Sequence, residues 1–256
     1  MKTYLTILGC GSSLGVPRAD GYWGKSNPEN KKNYRTRCSI AITKGNNTVL
    51  IDTSPDLRLQ LIENKIKNIS YVLYTHEHAD QTHGINDLRP FFFKDKKKIN
   101  IYASPSTLKI LKKSFSYCFK KTPDYLPFLK ANKLKSPLVL GKKRERIKFD
   151  SIIVRHGKIN SIGYLFNKVA YISDCNKINN NNLINLKNLN LFIIDCLRIK
   201  SHSTHFNYDS VMNLIKIIRP KQTILTNLHF DLDYNYLLKK VPSHVKPAYD
   251  NMKLYL

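Results

Sequence analysis

Eleven residues, Tyr74 to Gly84, contain three histidines and two acids in the order YTHEHADQTHG. His76 and His78 directly follow an apolar run that is typical of a buried strand. Because residues i and i+2 of an extended chain point the same way, both imidazoles can bind one ion, with Asp80 on the following turn. Imidazole together with carboxylate suits zinc, manganese or iron, ions that can activate water. The segment therefore predicts a metal site.

Three more side chains that can bind metal stand at the ends of apolar runs. His156 ends SIIVRH, Asp174 ends VAYISD and His229 ends QTILTNLH. One histidine at a strand end is more often a hydrogen-bonded bystander, but three such placements after one His-x-His-x-Asp turn are hard to assign to chance. The repetition predicts that these side chains share one site with His76 and His78.

Short apolar runs separated by turn signals predict about ten strands. The runs are YLTILG, CSIAIT, TVLIDT, YVLYTH, INIYAS, SIIVRH, SIGYLF, VAYISD, LFIIDC, QTILTN and MKLYL. Helical spacing of apolar residues predicts helices over Pro55–Asn64, Ser104–Phe115 and Tyr208–Ile218. Strands with interspersed helices favour an α/β (α+β) protein of two sheets with helices outside. No clear linker interrupts the pattern, so one domain over residues 1–256 is expected.

Composition narrows the function classes. The net charge is +25, which favours an anionic partner, although the abundance of Lys, Asn and Ile also fits drift in base composition. Five cysteines without a C-x-x-C pair indicate neither a disulfide framework nor a zinc ribbon. No apolar run reaches the roughly twenty residues of a membrane span, and the N-terminus is typical of a first strand rather than a signal peptide. A cytoplasmic protein is expected.

The sequence resembles the metallo-β-lactamase superfamily, whose signature is T-H-x-H-x-D-H. The likeness is greatest to the branch that contains the phosphoribosyl cyclic phosphodiesterase of phosphonate breakdown and the tRNA 3′-processing endonuclease. The segments that carry it are LGCGSSLGVPR, LIDTSPDLR, THEHADQTHGINDLR, SDC, THF, LTNLHFDLDY and PAYDNM. The resemblance covers nearly the whole chain and implies an αββα sandwich of two mixed β-sheets flanked by helices.

The resemblance also implies a site for one or two divalent ions, zinc or manganese. His76, His78 and His156 would bind the first ion, and Asp174 would bridge to a second. The second ion would be bound by Asp80, His229 and the last residue of the signature, which is glutamine here, Gln81.

This glutamine leaves three interpretations open, because a neutral amide oxygen is a weak zinc ligand. In the first, Gln81 binds the second ion through its carbonyl oxygen, more weakly than histidine would; in the second, the protein works with one ion; in the third, the protein is a degraded enzyme that binds without turnover. His83, two residues away, is expected to be structural or to support the metal ligands from behind. Asp52 is implied to stand behind the metal-binding histidines and to orient them through hydrogen bonds.

The implied reaction is hydrolysis of a phosphodiester by metal-activated water. Asp80 and Asp174 would position the water and accept its proton, and His205, rather than the nearby His202, would face the leaving group. Arg89 and Arg18 are candidates for phosphate contact.

The expected substrate is a small anionic phosphodiester, cyclic or nucleotide-like. A nuclease that acts on RNA or DNA is the alternative, and a non-catalytic anion-binding relative is a third. Only about thirty residues separate Asp174 from His205, too few for the long arm with which tRNA-processing members grip tRNA. That favours the small substrate, whereas the charge of +25 favours nucleic acid. A homodimer is possible only on the ground that the resembled family commonly forms dimers. No membrane partner is expected.

Overall fold

The computed structural model describes residues 1–256 and contains two seven-stranded sheets. The strands are β1 Thr3–Gly9, β2 Ser39–Lys44, β3 Asn47–Ile51, β4 Tyr71–Leu73, β5 Ile99–Ala103, β6 Leu129–Lys133, β7 Leu138–Leu140, β8 Ile147–His156, β9 Ile159–Phe166, β10 Val169–Ile172, β11 Leu191–Asp195, β12 Gln222–Thr226, β13 Val245–Pro247 and β14 Met252–Tyr255. The first sheet has the order β14-β1-β2-β3-β4-β5-β6 and the second β13-β12-β11-β10-β9-β8-β7.

Eight α-helices accompany the sheets. They are α1 Leu57–Glu63, α2 Ala79–Thr82, α3 Arg89–Asp95, α4 Pro105–Ser114, α5 Ser116–Phe119, α6 Asn180–Leu183, α7 Tyr208–Ile218 and α8 Tyr234–Lys240. None of them combines the length and the apolar character that a bilayer crossing requires.

Three hydrophobic clusters show how the layers are stacked. The first joins inner-face residues of both sheets, among them Ile40 of β2 and Ile193 of β11. The second packs the other face of the second sheet against α7, and the third packs the other face of the first sheet against α1 and α4. Each sheet is therefore buried on both faces, and the layers follow the order αββα, as predicted.

Burial on both faces explains why the strands read as continuous apolar runs. In β10, Val169 and Tyr171 belong to the cluster between the sheets, whereas Ala170 and Ile172 belong to the cluster under α7. Successive residues of a strand point to opposite faces, so both sets must be apolar.

The two sheets are mixed, and their parallel strands place several strand ends together. Strands β3 to β6 run parallel to one another, and so do β10 to β13. Strand β8 is antiparallel to β9, which is antiparallel to β10, so β8 and β10 run in one direction. The carboxyl ends of β8, β10, β11 and β12 consequently lie at one edge of the second sheet.

The C-terminal segment is tied to the first glycine turn through the partly buried Asp250. One carboxylate oxygen accepts from the backbone N–H of Cys10 at 3.0 Å, and the other accepts from the N–H of Thr36 at 2.7 Å and its hydroxyl at 2.6 Å. Burial raises the pKa of Asp250 to about 6, so the group is ionised at neutral pH and all its partners are donors.

Replacing Asp250 by asparagine should therefore lower the free energy of unfolding. The amide would direct an N–H group at Cys10 or Thr36, both of which are donors, and an unsatisfied buried donor costs roughly 1–3 kcal/mol. Urea unfolding at pH 7 measures the loss. The matched control is Asp124→Asn at an exposed position, where no change is expected; equal stabilities for the two variants would contradict the prediction.

Candidate metal centre

A polar cavity of about 740 Å³ opens at the carboxyl ends of β8, β10, β11 and β12. The structure brings most of the predicted site residues to its wall: His78, Asp80, His156, Asp174, His205 and His229. His76 and Gln81 lie beneath them and are completely buried. Each of these residues lies at the end of a strand, or in the loop or short helix that follows a strand.

The three imidazoles of His76, His78 and His156 converge. One ring nitrogen from each lies within 4.8 Å of the others. The Nδ1 atom of His78 is 3.2 Å from Nε2 of His156, and the ring centroids are 4.6 to 5.1 Å apart. Tetrahedral imidazole sites require this kind of convergence.

His76 is oriented from behind by a relay of hydrogen bonds. Its Nδ1 lies 2.9 Å from the Thr75 hydroxyl, which donates to Asp52 at 2.9 Å. Because the Thr75 hydroxyl donates its single proton to Asp52, it can only accept from His76. The imidazole proton therefore lies on Nδ1, and Nε2 carries the lone pair. That Nε2 is buried and has no hydrogen-bond partner in the protein, and burial lowers the pKa of His76 to about 3.

Asp52 was predicted to support the histidines, and the structure places it directly behind them. It reaches His76 through Thr75 rather than by direct contact. The residue follows β3 with a φ of 65°, a left-handed conformation that is uncommon outside glycine. Burial raises its pKa well above the usual range.

His156 is oriented in the same way by a different partner. Its Nδ1 donates to the carbonyl of Thr204 at 2.8 Å, which assigns its lone pair to Nε2 on the side of His78. The burial of His156 lowers its pKa, so the ring is neutral at pH 7. Two buried neutral imidazoles with inward lone pairs fit a divalent cation bound by nitrogen and oxygen ligands.

Asp174 lies between this cluster and a second one. Its carboxylate groups with His156 and His205, with all ligand atoms within 4.8 Å of one another. Burial alone would raise the pKa of Asp174, but the imidazoles of His76, His205 and His156 hold it below its usual value. An ionised carboxylate at this position is what the bridging role implied by the sequence requires.

His205 is held by an acid that sequence reasoning missed. Asp195, the last residue of β11, accepts from His205 Nδ1 at 2.7 Å and is completely buried. Asn227 donates to the other oxygen of Asp195 at 3.2 Å. Burial would lower the pKa of His205, but Asp195 and Asp174 raise it to about 9, so the imidazole is protonated at neutral pH. Asp195 ends an apolar strand as Asp174 nearly does, and that signal was available in LFIIDC.

The predicted second-ion residues are less well gathered. Gln81 Nε2 lies 3.2 Å from an oxygen of Asp80 and 3.1 Å from an oxygen of Asp174. His229 lines the cavity, but its Nδ1 pairs with Asp231 at 3.2 Å and its ring stacks on Phe230. Neither Asp80 nor His229 joins a group of three converging ligand atoms.

The two predicted phosphate contacts do not line the cavity. Arg89 is stacked between the rings of Phe93 and Tyr125, 4.9 and 4.6 Å from their centroids. Arg18 pairs with Asp20 and lies over the ring of Tyr22.

Two other cations, Lys158 and Arg198, do line the cavity, together with His202. Neither was singled out from sequence, because a lysine or arginine in a loop carries no pattern. His83, expected to be structural or to support the ligands, bonds to the Thr82 hydroxyl and packs on Phe115.

Comparison with known proteins agrees with this geometry. A model described as the beta-lactamase superfamily domain matches residues 47–229. The crystal structure of a diphosphatase from the PhnP family has a TM-score of 0.91 and 29% sequence identity, over 100% of this chain and 98% of that one. Human tRNase Z, short form, has a TM-score of 0.70 and 17% identity, over 98% of each chain.

One curated relative is an octanoyltransferase of Porphyromonas gingivalis, 29% identical over 252 residues. The match covers 96% of this chain, which spans about half the length of that protein. The family model, by contrast, matches well over half of this chain and includes every histidine of the converging cluster. The chain belongs to the beta-lactamase superfamily, and its fold is that of the metallo-β-lactamase hydrolases.

Proposed function

We propose that this protein is a metal-dependent phosphodiesterase that hydrolyses a small cyclic or nucleotide-like phosphodiester. The observation that carries the proposal is the convergence of three imidazoles beside a protonated histidine in one polar cavity. The likeness to a diphosphatase, over the whole of this chain, supports phosphoryl chemistry.

In this proposal His76, His78, His156 and Asp174 bind a divalent ion, zinc or manganese. The bound ion supplies Lewis-acid charge and lowers the pKa of water. The protein supplies a fixed set of ligands, because Thr75 and Thr204 hold His76 and His156 in the tautomers that binding requires.

His205 acts as the general acid. Its imidazole is protonated at pH 7 and lies at the cavity wall, so it can give a proton to the departing oxygen. Asp195 keeps the ring charged and oriented, in the way that a buried acid supports a catalytic histidine.

Asp80 and Asp174 line the cavity, and they are the candidates to accept the proton of the attacking water. Lys158 and Arg198 are the cations that face the cavity, and they are suited to contact the phosphoryl oxygens. The cavity volume of about 740 Å³ suits a substrate of nucleotide size.

Replacing His205 by asparagine tests the general acid. With a phosphodiester whose leaving group is an alcohol, turnover should fall about 10²–10⁴-fold, the usual contribution of a positioned acid. With bis(p-nitrophenyl) phosphate the loss should be much smaller, because nitrophenolate departs without a proton. Steady-state rates with added zinc or manganese measure both effects.

The control is His244→Asn, since His244 is exposed and does not line this cavity. An equal loss with both leaving groups would reject His205 as the acid. Absence of any turnover in the unmodified protein, with either metal, would favour a non-catalytic anion-binding relative.

Thr75→Val tests the orientation of His76. Loss of the hydroxyl breaks the link between Asp52 and the imidazole, and loss of such supporting partners typically weakens metal binding 10–100-fold. Competition with a chromogenic chelator measures the affinity. The matched control is Thr43→Val, which removes a buried hydroxyl bonded to Thr48, away from the site; its metal affinity should be unchanged. Identical affinities for the two variants would count against the relay.

A nuclease remains the second candidate because of the charge of +25. Single-stranded RNA and bis(p-nitrophenyl) phosphate should be compared as substrates at several salt concentrations. We expect turnover of the small ester and no specific cleavage of RNA. RNA cleavage together with binding that weakens steeply with salt would favour the nuclease, since counterion release follows from phosphate contacts.

A further inference from the structure

Gln81 stands where the family signature has its last histidine, and its surroundings indicate how the site works without that ligand. The side chain is completely buried, and its Nε2 lies between Asp80 and Asp174 at 3.2 and 3.1 Å from one oxygen of each. The backbone is fixed as well, because the Gln81 carbonyl accepts from Thr53 N–H at 2.8 Å. The amide therefore bridges two carboxylates.

The orientation of the amide follows from electrostatics. With its NH₂ group toward the carboxylates, Gln81 donates to one oxygen of each acid; rotated by half a turn, it would direct its own oxygen at those two carboxylate oxygens. The rotated form would be stable only with a cation between these three oxygens. Gln81 Oε1, on the other side, is buried without a partner, so the donor side carries the bonding of this residue.

The other ligands expected for a second ion do not converge, because neither Asp80 nor His229 belongs to a group of three ligand atoms that lie within 4.8 Å of one another. His229 Nδ1 pairs with Asp231, so only its Nε2 could serve an ion. A tight zinc site needs several ligand atoms that converge, preferably including imidazole or thiolate, and an amide oxygen is not among the usual zinc ligands.

We infer that this protein binds a single divalent ion, and that the NH₂ group of Gln81 takes the place of the second ion between Asp80 and Asp174. Gln81 is then a positioning residue. Two adjacent carboxylates repel each other, and the two N–H donors of one amide offset that repulsion without a second ion. Asp80 and His229 are consequently not metal ligands in this protein.

The inference concerns the same site as the proposed function and rests on it only for the binding of the first ion. It predicts a difference between two classes of variant. His78→Ala should abolish tight metal binding, whereas Asp80→Asn and His229→Ala should each retain it with little change in affinity. Gln81→His restores an imidazole and should add a second ion.

The test is the metal content per chain, measured by elemental analysis after loading with zinc or manganese and removal of excess, with affinities from calorimetry. Manganese is included because carbonyl oxygens suit it better than zinc. The expected result is one ion in the unmodified protein, Asp80→Asn and His229→Ala, and two in Gln81→His. Gln81→Met is the matched control, similar in size but without donor or imidazole, and should bind one ion and unfold more readily.

Nuclear magnetic resonance gives a readout that does not depend on activity. The side-chain NH₂ signals of Gln81, identified by their loss in Gln81→Met, should stay protected from solvent exchange after metal loading. Two ions in the unmodified protein, with one lost in Asp80→Asn or His229→Ala, would overturn the inference and leave the proposed hydrolysis intact. If neither the unmodified protein nor any variant bound an ion, both the single-ion inference and the proposed metal-dependent hydrolysis would be rejected.

Discussion

The buried lone pair of His76 is the constraint on which the site depends. Its Nε2 is enclosed by protein and finds no donor there. Leaving a buried polar atom unpaired costs free energy, so the rest of the fold must hold it in place. The relay from Asp52 through Thr75 does so, and it prevents the ring from turning its proton inward. A divalent cation is the partner that this arrangement fits.

Burial has opposite effects on the two kinds of titratable group at this edge of the sheets. It lowers the pKa of His76 and His156, and neutral imidazoles result. It raises the pKa of Asp195 to about 6, still low enough for that acid to remain charged at neutral pH beside His205. Desolvation thus keeps the imidazole ligands neutral, whereas the carboxylates of Asp195 and Asp174 overcome it at His205 and keep that imidazole protonated.

Much of this could be predicted from the sequence, for identifiable reasons. Strands buried on both faces are visible as apolar runs, and polar residues that end such runs mark the site, as with His156 and Asp174. Strands β6 and β7 were missed because they lie at sheet edges, where exposed residues interrupt the pattern. Strand β13 is a three-residue edge strand and was missed for the same reason.

The cations that face the cavity could not be predicted from the sequence. Arg89 was a reasonable candidate by position, but two aromatic rings hold it away from the cavity, and contacts of that kind leave no local signal in sequence. Lys158 and Arg198 face the cavity through loop geometry alone.

The role of Gln81 likewise depends on neighbours that the sequence does not reveal. Sequence identifies the substitution but not its meaning, because a glutamine side chain offers both an acceptor and two donors. What decides between them is the arrangement of Asp80 and Asp174, which lie on the same side of the amide and both require donors. A histidine with its lone pair directed at this pair of acids would need a cation between them, whereas the amide does not. One residue type can therefore change the number of ions that a site requires while the remaining ligands keep their places.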